Sequence, residues 1–316
     1  MPRVPDFFIV GHPKCGTTAL YETLAAHPQI FLPERKEPRW FASDLPSPYQ
    51  PRRDGRPAET WEDYLALFAG AGEGQLIGEG STAYIWSKTA AGRIAEAQPG
   101  ARIIAIMREP AAFLRSLHLQ LLQHKSEEVA SLREALALED ERRAGRRLTE
   151  VNRDWPQVLF YSERVRYVEQ LRRFEAVFPS EQVLVLIYDD LLADYDGTVR
   201  GVERFLGVAE RGAGAPTRAN PSVRRRVGVD NALHEAFFGG GGALRSARRA
   251  ARTVIPAGAR RRAFQTLREK LVFAGPGEAD PELMLELRRR FRGEVKALSD
   301  HLGRDLVGEW GYEGLE

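Results

Sequence analysis

The sequence predicts an α/β fold in three layers, a central and mainly parallel sheet flanked by helices. Three observations predict it. Four short apolar runs, at residues 7–10, 76–79, 102–107 and 183–188, have the length and continuity of strands buried on both faces. Amphipathic stretches at helical spacing alternate with those runs, the pattern of strand–helix–strand crossovers. The first run passes through a loop containing Gly and Lys directly into a helix.

That first junction organises the chain. Phe7-Phe8-Ile9-Val10 is the strand, and Gly11-His12-Pro13-Lys14-Cys15-Gly16 is the turn. Thr17-Thr18 then open a helix marked by Leu20, Leu24 and Ala25. A strand, a Gly/Lys loop and a helix N-terminus form an anion cradle. Backbone N–H groups point at the ligand, the helix dipole favours negative charge, and Lys14 adds a full positive charge. The arrangement is P-loop-like, yet it is not the nucleotide-triphosphatase motif, whose lysine follows the last glycine. Here Lys14 precedes Gly16 by two residues. Cys15 is the lone cysteine. A nucleophile at a helix start is one reading of it; a small residue that fits a tight loop is the favoured one.

Further along, His27-Pro28 stops the first helix. Pro33 and Pro38 bracket a charged loop ending in Trp40-Phe41, and 42–59 reads as an exposed loop. A short helix at 61–68 precedes the second run, which leads into Gly80-Ser81-Thr82. The third run ends at Arg108-Glu109-Pro110, and Pro110 suits a first helical turn. Arg108 stands at the carboxyl end of its strand, where α/β folds bind ligands, and Ser116 follows eight residues later on the helix. Arg and Ser can share one phosphate. His118 and His124 are six apart on that helix and share no face for a metal.

Residues 125–155 are charged and read as a solvated face, with a gate over a cleft as the alternative. One long amphipathic helix is expected from Tyr161, marked by Val165, Val168, Leu171, Phe174 and Val177. After the fourth run comes a helix stopped at Gly207. A Gly/Pro/Ala loop over 211–226 feeds Arg224-Arg225-Arg226. Residues 239–262 hold five glycines and seven arginines with no acid. They read as a mobile lid or insert, with contact to an anionic membrane surface as an alternative. Residues 283–298 form a closing amphipathic helix. No repeat or linker divides the chain, so residues 1–316 are read as a single domain.

Composition narrows the class. With 316 residues and 43% hydrophobic content the chain can bury a sizeable core. Its 46 basic and 44 acidic residues nearly balance, which argues against a nucleic-acid binder. The start does not resemble a signal peptide, no apolar stretch approaches the roughly 20 residues of a membrane span, and one cysteine allows no internal disulfide. A soluble, cytoplasmic protein is expected.

Pro13-Lys14-Cys15-Gly16-Thr17-Thr18, His27-Pro28-Gln29-Ile30 and Lys36-Glu37-Pro38-Arg39-Trp40-Phe41 together resemble the opening of the sulfotransferases that use 3′-phosphoadenosine-5′-phosphosulfate (PAPS). The likeness is nearest to the branch of the heparan sulfate sulfotransferases and their bacterial relatives. It implies that Lys14, Cys15, Gly16, Thr17 and Thr18 bind the 5′-phosphosulfate, and that Arg108 and Ser116 hold the 3′-phosphate. It implies a base at Glu37, where 3-O-sulfotransferases carry Glu-Pro-His-Phe-Phe. It implies that Lys36 orients the acceptor or balances charge, and that one of Arg224, Arg225 and Arg226 closes over the nucleotide. Another branch uses a histidine base, which makes His118 the reserve. The chain departs from the 3-O pattern at Gly80, where those enzymes place a lysine. Tyr167-x-x-Gln170-Leu171 and the ending with Gly303, Arg304 and Trp310 extend the resemblance along nearly the whole chain.

The expected activity is sulfuryl transfer from PAPS, without a metal, to a hydroxyl or amine of a glycan, lipid or secondary metabolite. The alternatives are an ATP-dependent kinase with Mg²⁺, whose lysine position is not met, and a non-catalytic sensor of 3′-phosphonucleotides.

Overall fold

The computed structural model describes residues 3–45, 59–213 and 277–315, together with the backbone of 224–225 and 273–274. Strand β1 (Phe7–Ile9) leads to helix α1 (Thr17–Ala25), strand β2 (Ile30–Phe31), helix α2 (Trp61–Ala66), strand β3 (Leu76–Gly80), helix α3 (Ala90–Ala97), strand β4 (Arg102–Met107) and helix α4 (Pro110–Gln123). Helices α5 (Leu132–Ala137), α6 (Glu139–Arg143), α7 (Tyr161–Arg164) and α8 (Tyr167–Glu175) precede strand β5 (Val183–Ile187). Helices α9 (Tyr188–Ala193) and α10 (Tyr195–Leu206) follow it. Two short strands, β6 (Arg224–Arg225) and β7 (Phe273–Ala274), pair antiparallel. Helices α11 (Pro281–Leu302) and α12 (Leu306–Glu309) end the chain.

Among the described residues the main sheet runs β2-β3-β1-β4-β5, with every pair parallel. The chain runs from β1 out to the edge strand β2, returns inward to β3 between them, then crosses to the other side of β1 for β4 and β5. This reversal sets a crevice at the carboxyl ends of the central strands, where open α/β sheets take their ligands. Phe7 to Val10 and Ile103 to Met107 are fully buried, because helices cover both faces of the two central strands. Gly11 continues β1 against β4 so closely that a Cβ there would lie 2.4 Å from the Ile106 amide nitrogen.

The α/β expectation holds, and four details differ. A fifth strand, β2, forms where only a helix stop was read; two residues carry too little apolar pattern to announce an edge strand. Strand β5 is also an edge, so Val183 to Leu186 are half-buried rather than enclosed. The helix expected from Tyr161 is broken at Val165 and Arg166, where the Tyr167 amide bonds the Val165 carbonyl instead of continuing the helical pattern. Residues 125–155 do not form a purely solvated face. Glu127 and Arg142 are each 1% exposed and paired at 2.8 Å, and the Tyr161 hydroxyl donates to the same carboxylate. A buried pair of this kind shows no periodic apolar signal in the sequence.

The helix ends follow local chemistry. Glu109 caps α4 by accepting from the Ala111 and Ala112 amides, with Pro110 in the first turn. The same carboxylate accepts from the Tyr312 hydroxyl, which ties the chain end to the base of α4. Helix α10 stops at Gly207 in the left-handed conformation, φ 71°. Arg226, residues 239–262 and most of the 42–59 loop lie outside the described residues, and so do the readings made of them.

Candidate active site

Three loops meet at the carboxyl ends of β1, β2 and β3. The first is the turn from β1 into α1. Lys14 and Gly16 both take positive φ, 67° and 83°, so this loop coils tightly around Cys15. Gly16 suits its position because its backbone is left-handed and a Cβ there would lie 3.3 Å from Tyr188 and Leu191 on α9. No side chain caps α1 and its first turn carries no acid. Its leading amides therefore remain directed at the crevice, the arrangement that receives an oxyanion. Burial pushes the Cys15 thiol up to about 12, against smaller downward effects of Arg108 and Lys14, so at neutral pH it is not a thiolate. The small-residue reading of Cys15 is the one this chemistry supports.

Arg108, at the end of β4, donates to the Lys14 carbonyl at 2.8 Å and lies over the Tyr188 ring at 4.6 Å. Burial and then Arg108 lower the Lys14 pKa. Ser116 is buried on α4. Arg224 and Arg225 stand in the short strand β6, rather than in a continuous loop.

The second loop carries Glu37, Pro38 and Arg39. Glu37 and Arg39 hold positive φ values of 58° and 63°, which for non-glycine residues stores strain of order 1–3 kcal/mol each. Hydrogen bonds to the third loop hold them there. The Glu37 amide donates to the Gly80 carbonyl at 3.0 Å, and the Arg39 amide to the Ser81 hydroxyl at 3.1 Å. The Glu37 carboxylate receives Arg39 at 3.0 Å, Thr82 at 3.2 Å and Lys36 at 3.5 Å. Burial alone would raise its pKa, but Lys36, Arg39 and the hydrogen bonds together hold it below the ordinary carboxylate value. Glu37 is thus ionised and aimed at neutral pH. Lys36 also reaches Thr18 at 3.3 Å, which links the carboxylate loop to the cradle.

Behind Glu37 lies a second, fully buried carboxyl, Glu79. Tyr64 and Tyr84 hydroxyls both donate to one of its oxygens at 2.8 Å, and burial pushes its pKa up to about 7. Lys14, Lys36, Arg39 and Arg108 stand against Glu37 and, beside Cys15, Asp189, so positive charge is in excess among these residues.

The two histidines of α4 separate. His118 is buried, its Nε2 meets the Val129 carbonyl at 2.9 Å, and its ring packs on Tyr161 beside the Glu127–Arg142 pair. That is a structural position, and it counts against the reserve base. His124, at the end of α4, is the one that senses Lys14, Glu37 and Arg39; desolvation and Lys14 lower its pKa, so it is neutral at pH 7. Helical spacing alone did not single it out, although the six-residue offset from His118 already put the two on different faces.

The comparisons agree with this geometry. A sequence model described as the sulfotransferase family matches residues 5–211, well over half of the chain. Over 270 residues the chain is 27% identical to carbohydrate sulfotransferase 15 of Homo sapiens, covering 71% of this chain and 48% of that protein. Over 206 residues it is 27% identical to heparan sulfate glucosamine 3-O-sulfotransferase 3A1 of Mus musculus, covering 65% and 46%. The chain thus spans about half the length of the curated relatives it matches. Among solved structures, a sulfotransferase from Alicyclobacillus acidocaldarius superposes with a TM-score of 0.67 at 25% identity, covering 96% of this chain and 98% of that one. Among the described residues no helix is long and apolar enough to cross a membrane.

Proposed function

Because the chain belongs to the sulfotransferase family, we propose that it transfers the sulfuryl group of PAPS to a hydroxyl or amine of an acceptor, with Glu37 as general base. One observation carries this reading. An ionised carboxylate and an uncapped helix N-terminus are joined through a single lysine, Lys36. A negatively charged donor and a proton-bearing acceptor can then meet between them.

The residues fit such a donor. The amides of the loop and the first turn of α1, with Lys14, would receive the 5′-phosphosulfate. Arg108 and Ser116 would hold the 3′-phosphate, the group that separates PAPS from ATP, and the arginines of β6 remain candidates to cover the nucleotide. In the reaction, an acceptor oxygen or nitrogen forms its bond to sulfur as the bond from sulfur to the bridging oxygen breaks. The electron pair leaves on the 5′-phosphate, and Glu37 takes the acceptor proton. Catalysis is then mostly positioning and charge stabilisation, as in phosphoryl transfer. The names of the curated relatives favour a carbohydrate acceptor, and lipid or small-molecule alcohols share the required chemistry.

Thermal unfolding with 3′,5′-bisphosphoadenosine (PAP), 5′-AMP, and ATP with Mg²⁺ tests the donor assignment. A ligand at 100 times its dissociation constant stabilises by about 2.7 kcal/mol, a shift of several degrees. PAP is expected to give the largest shift. A shift with ATP and Mg²⁺ alone would replace this reading with the kinase one.

A further inference from the structure

We propose that Lys36 is a second catalytic cation, whose ammonium acts on the sulfuryl group from the Glu37 side. The inference rests on the donor reading given above and names a residue which that reading leaves without a chemical task.

Position is the first argument. The Lys36 Nζ lies 3.3 Å from Thr18 Oγ1 and 3.5 Å from Glu37 Oε1. Thr18 belongs to the first turn of α1, which receives the donor, and Glu37 faces the acceptor. The sulfur in flight has to pass between those two groups, so the ammonium sits where charge is redistributed. Thr18 and Glu37 engage two of its three N–H donors; a lysine ammonium has a third to offer an oxyanion.

Magnitude is the second. Holding Glu37 does not need Lys36. At 3.5 Å, with the two side chains 21% and 27% exposed, the pair is worth no more than about 1 kcal/mol. Arg39 already binds the same carboxylate at 3.0 Å, and Thr82 donates at 3.2 Å.

The third argument is the space the lysine occupies. Its stem passes over Gly80, where a Cβ would lie 3.7 Å from Lys36 Cε and 2.7 Å from the Tyr21 ring. The ammonium itself stands 5.9 Å from the centre of that ring. Tyr21 is fixed by donating to the Pro33 carbonyl at 2.6 Å. A residue with no side chain at position 80 and an anchored ring beneath it define a channel that directs Lys36 toward α1.

In the transfer step Lys36 stays protonated. The new bond to sulfur forms, the bond to the bridging oxygen breaks with its pair going to the 5′-phosphate, and the acceptor proton goes to Glu37. Lys36 offsets negative charge on the sulfuryl oxygens. Its third N–H serves them while Thr18 and Glu37 keep the other two.

The test is a calorimetric titration of PAPS and of PAP, which lacks the sulfuryl group, into the wild type, Lys36→Met and Lys36→Arg. Lys36→Met is expected to lower PAPS affinity about tenfold or more, as for a lost charged hydrogen bond, while PAP affinity stays within about twofold. Lys36→Arg is expected to keep part of the preference for PAPS. Equal loss for both ligands, or no loss for either, would make Lys36 a structural residue and overturn the proposal. A wild type that binds neither ligand would overturn the donor reading, and this inference with it.

Discussion

Glu37→Gln is the substitution that separates chemistry from scaffolding. The variant keeps side-chain volume and an acceptor oxygen for Arg39 or Thr82, and it loses the negative charge and the ability to take a proton. General-base catalysis contributes about 10²–10⁴-fold, or about 3–5 kcal/mol of barrier. The structural loss is smaller. Two partly exposed ion pairs, to Arg39 at 3.0 Å and Lys36 at 3.5 Å, are weakened, and each is worth at most about 1 kcal/mol. The melting temperature should therefore fall by only a few degrees. Turnover is followed as PAP released from PAPS, with water or an added alcohol as acceptor. The expected result is a loss of at least a hundredfold with PAP affinity within about twofold. The acid limb of the wild-type rate profile should also vanish: Glu37 is held below the usual carboxylate pKa, so the wild type loses rate only as pH falls through that low value, and the variant has no such group. Retention of more than about a third of the wild-type rate would refute the assignment and turn attention to His124, the neutral histidine that shares this neighbourhood.

Four further substitutions probe the surroundings. Arg108→Ala should weaken PAP binding at least tenfold more than 5′-AMP binding; some loss for 5′-AMP is expected because Arg108 also braces the Lys14 carbonyl, and equal losses would remove Arg108 from the 3′-phosphate site. Gly11→Ala places a Cβ 2.4 Å from a backbone nitrogen of β4, so urea unfolding should report a loss of about 3 kcal/mol or more. Gly92→Ala on α3, which meets nothing within 4 Å, should be neutral or stabilise by up to about 1 kcal/mol. Glu79 has a folded pKa of about 7 against an ordinary 4.5. The folded state therefore holds its proton longer than the unfolded chain, and this carboxyl erodes stability as pH rises from about 4.5 through 7. Glu79→Gln should flatten the wild-type decline in urea midpoint between pH 5 and pH 8; an unchanged slope would show that Glu79 does not titrate there.

Much of this architecture is legible before any coordinates. Phe7 to Val10 and Arg102 to Met107 announce themselves because central parallel strands are buried on both faces and need unbroken apolar runs. The turn from Gly11 to Thr18 is legible because glycine, proline and lysine have few reasons to gather before a helix. Arg108 stood out through its place at a strand end and Glu37 through the family resemblance of its loop, and the structure brings both loops to one crevice. What escapes the sequence is three-dimensional pairing. Glu127 and Arg142 look like solvated charges until fifteen residues of chain fold them onto each other. Glu79 reads as an ordinary strand residue until Tyr64 of α2 and Tyr84, five residues on, both reach it. His124 carries no local signal at all, because its neighbours Lys14, Glu37 and Arg39 lie about a hundred residues upstream. The departure at Gly80 was visible as a missing lysine, whereas the lysine that fills the space above it, Lys36, was not visible as such.

Amide hydrogen exchange with and without saturating PAP tests the central claim most directly, because it locates the donor along the chain. Protection is expected at residues 11–18, where loop and helix amides would take the 5′-phosphate, and around 108–116, where the 3′-phosphate would sit. Protection confined to other segments, or none at a concentration that saturates binding, would contradict the account.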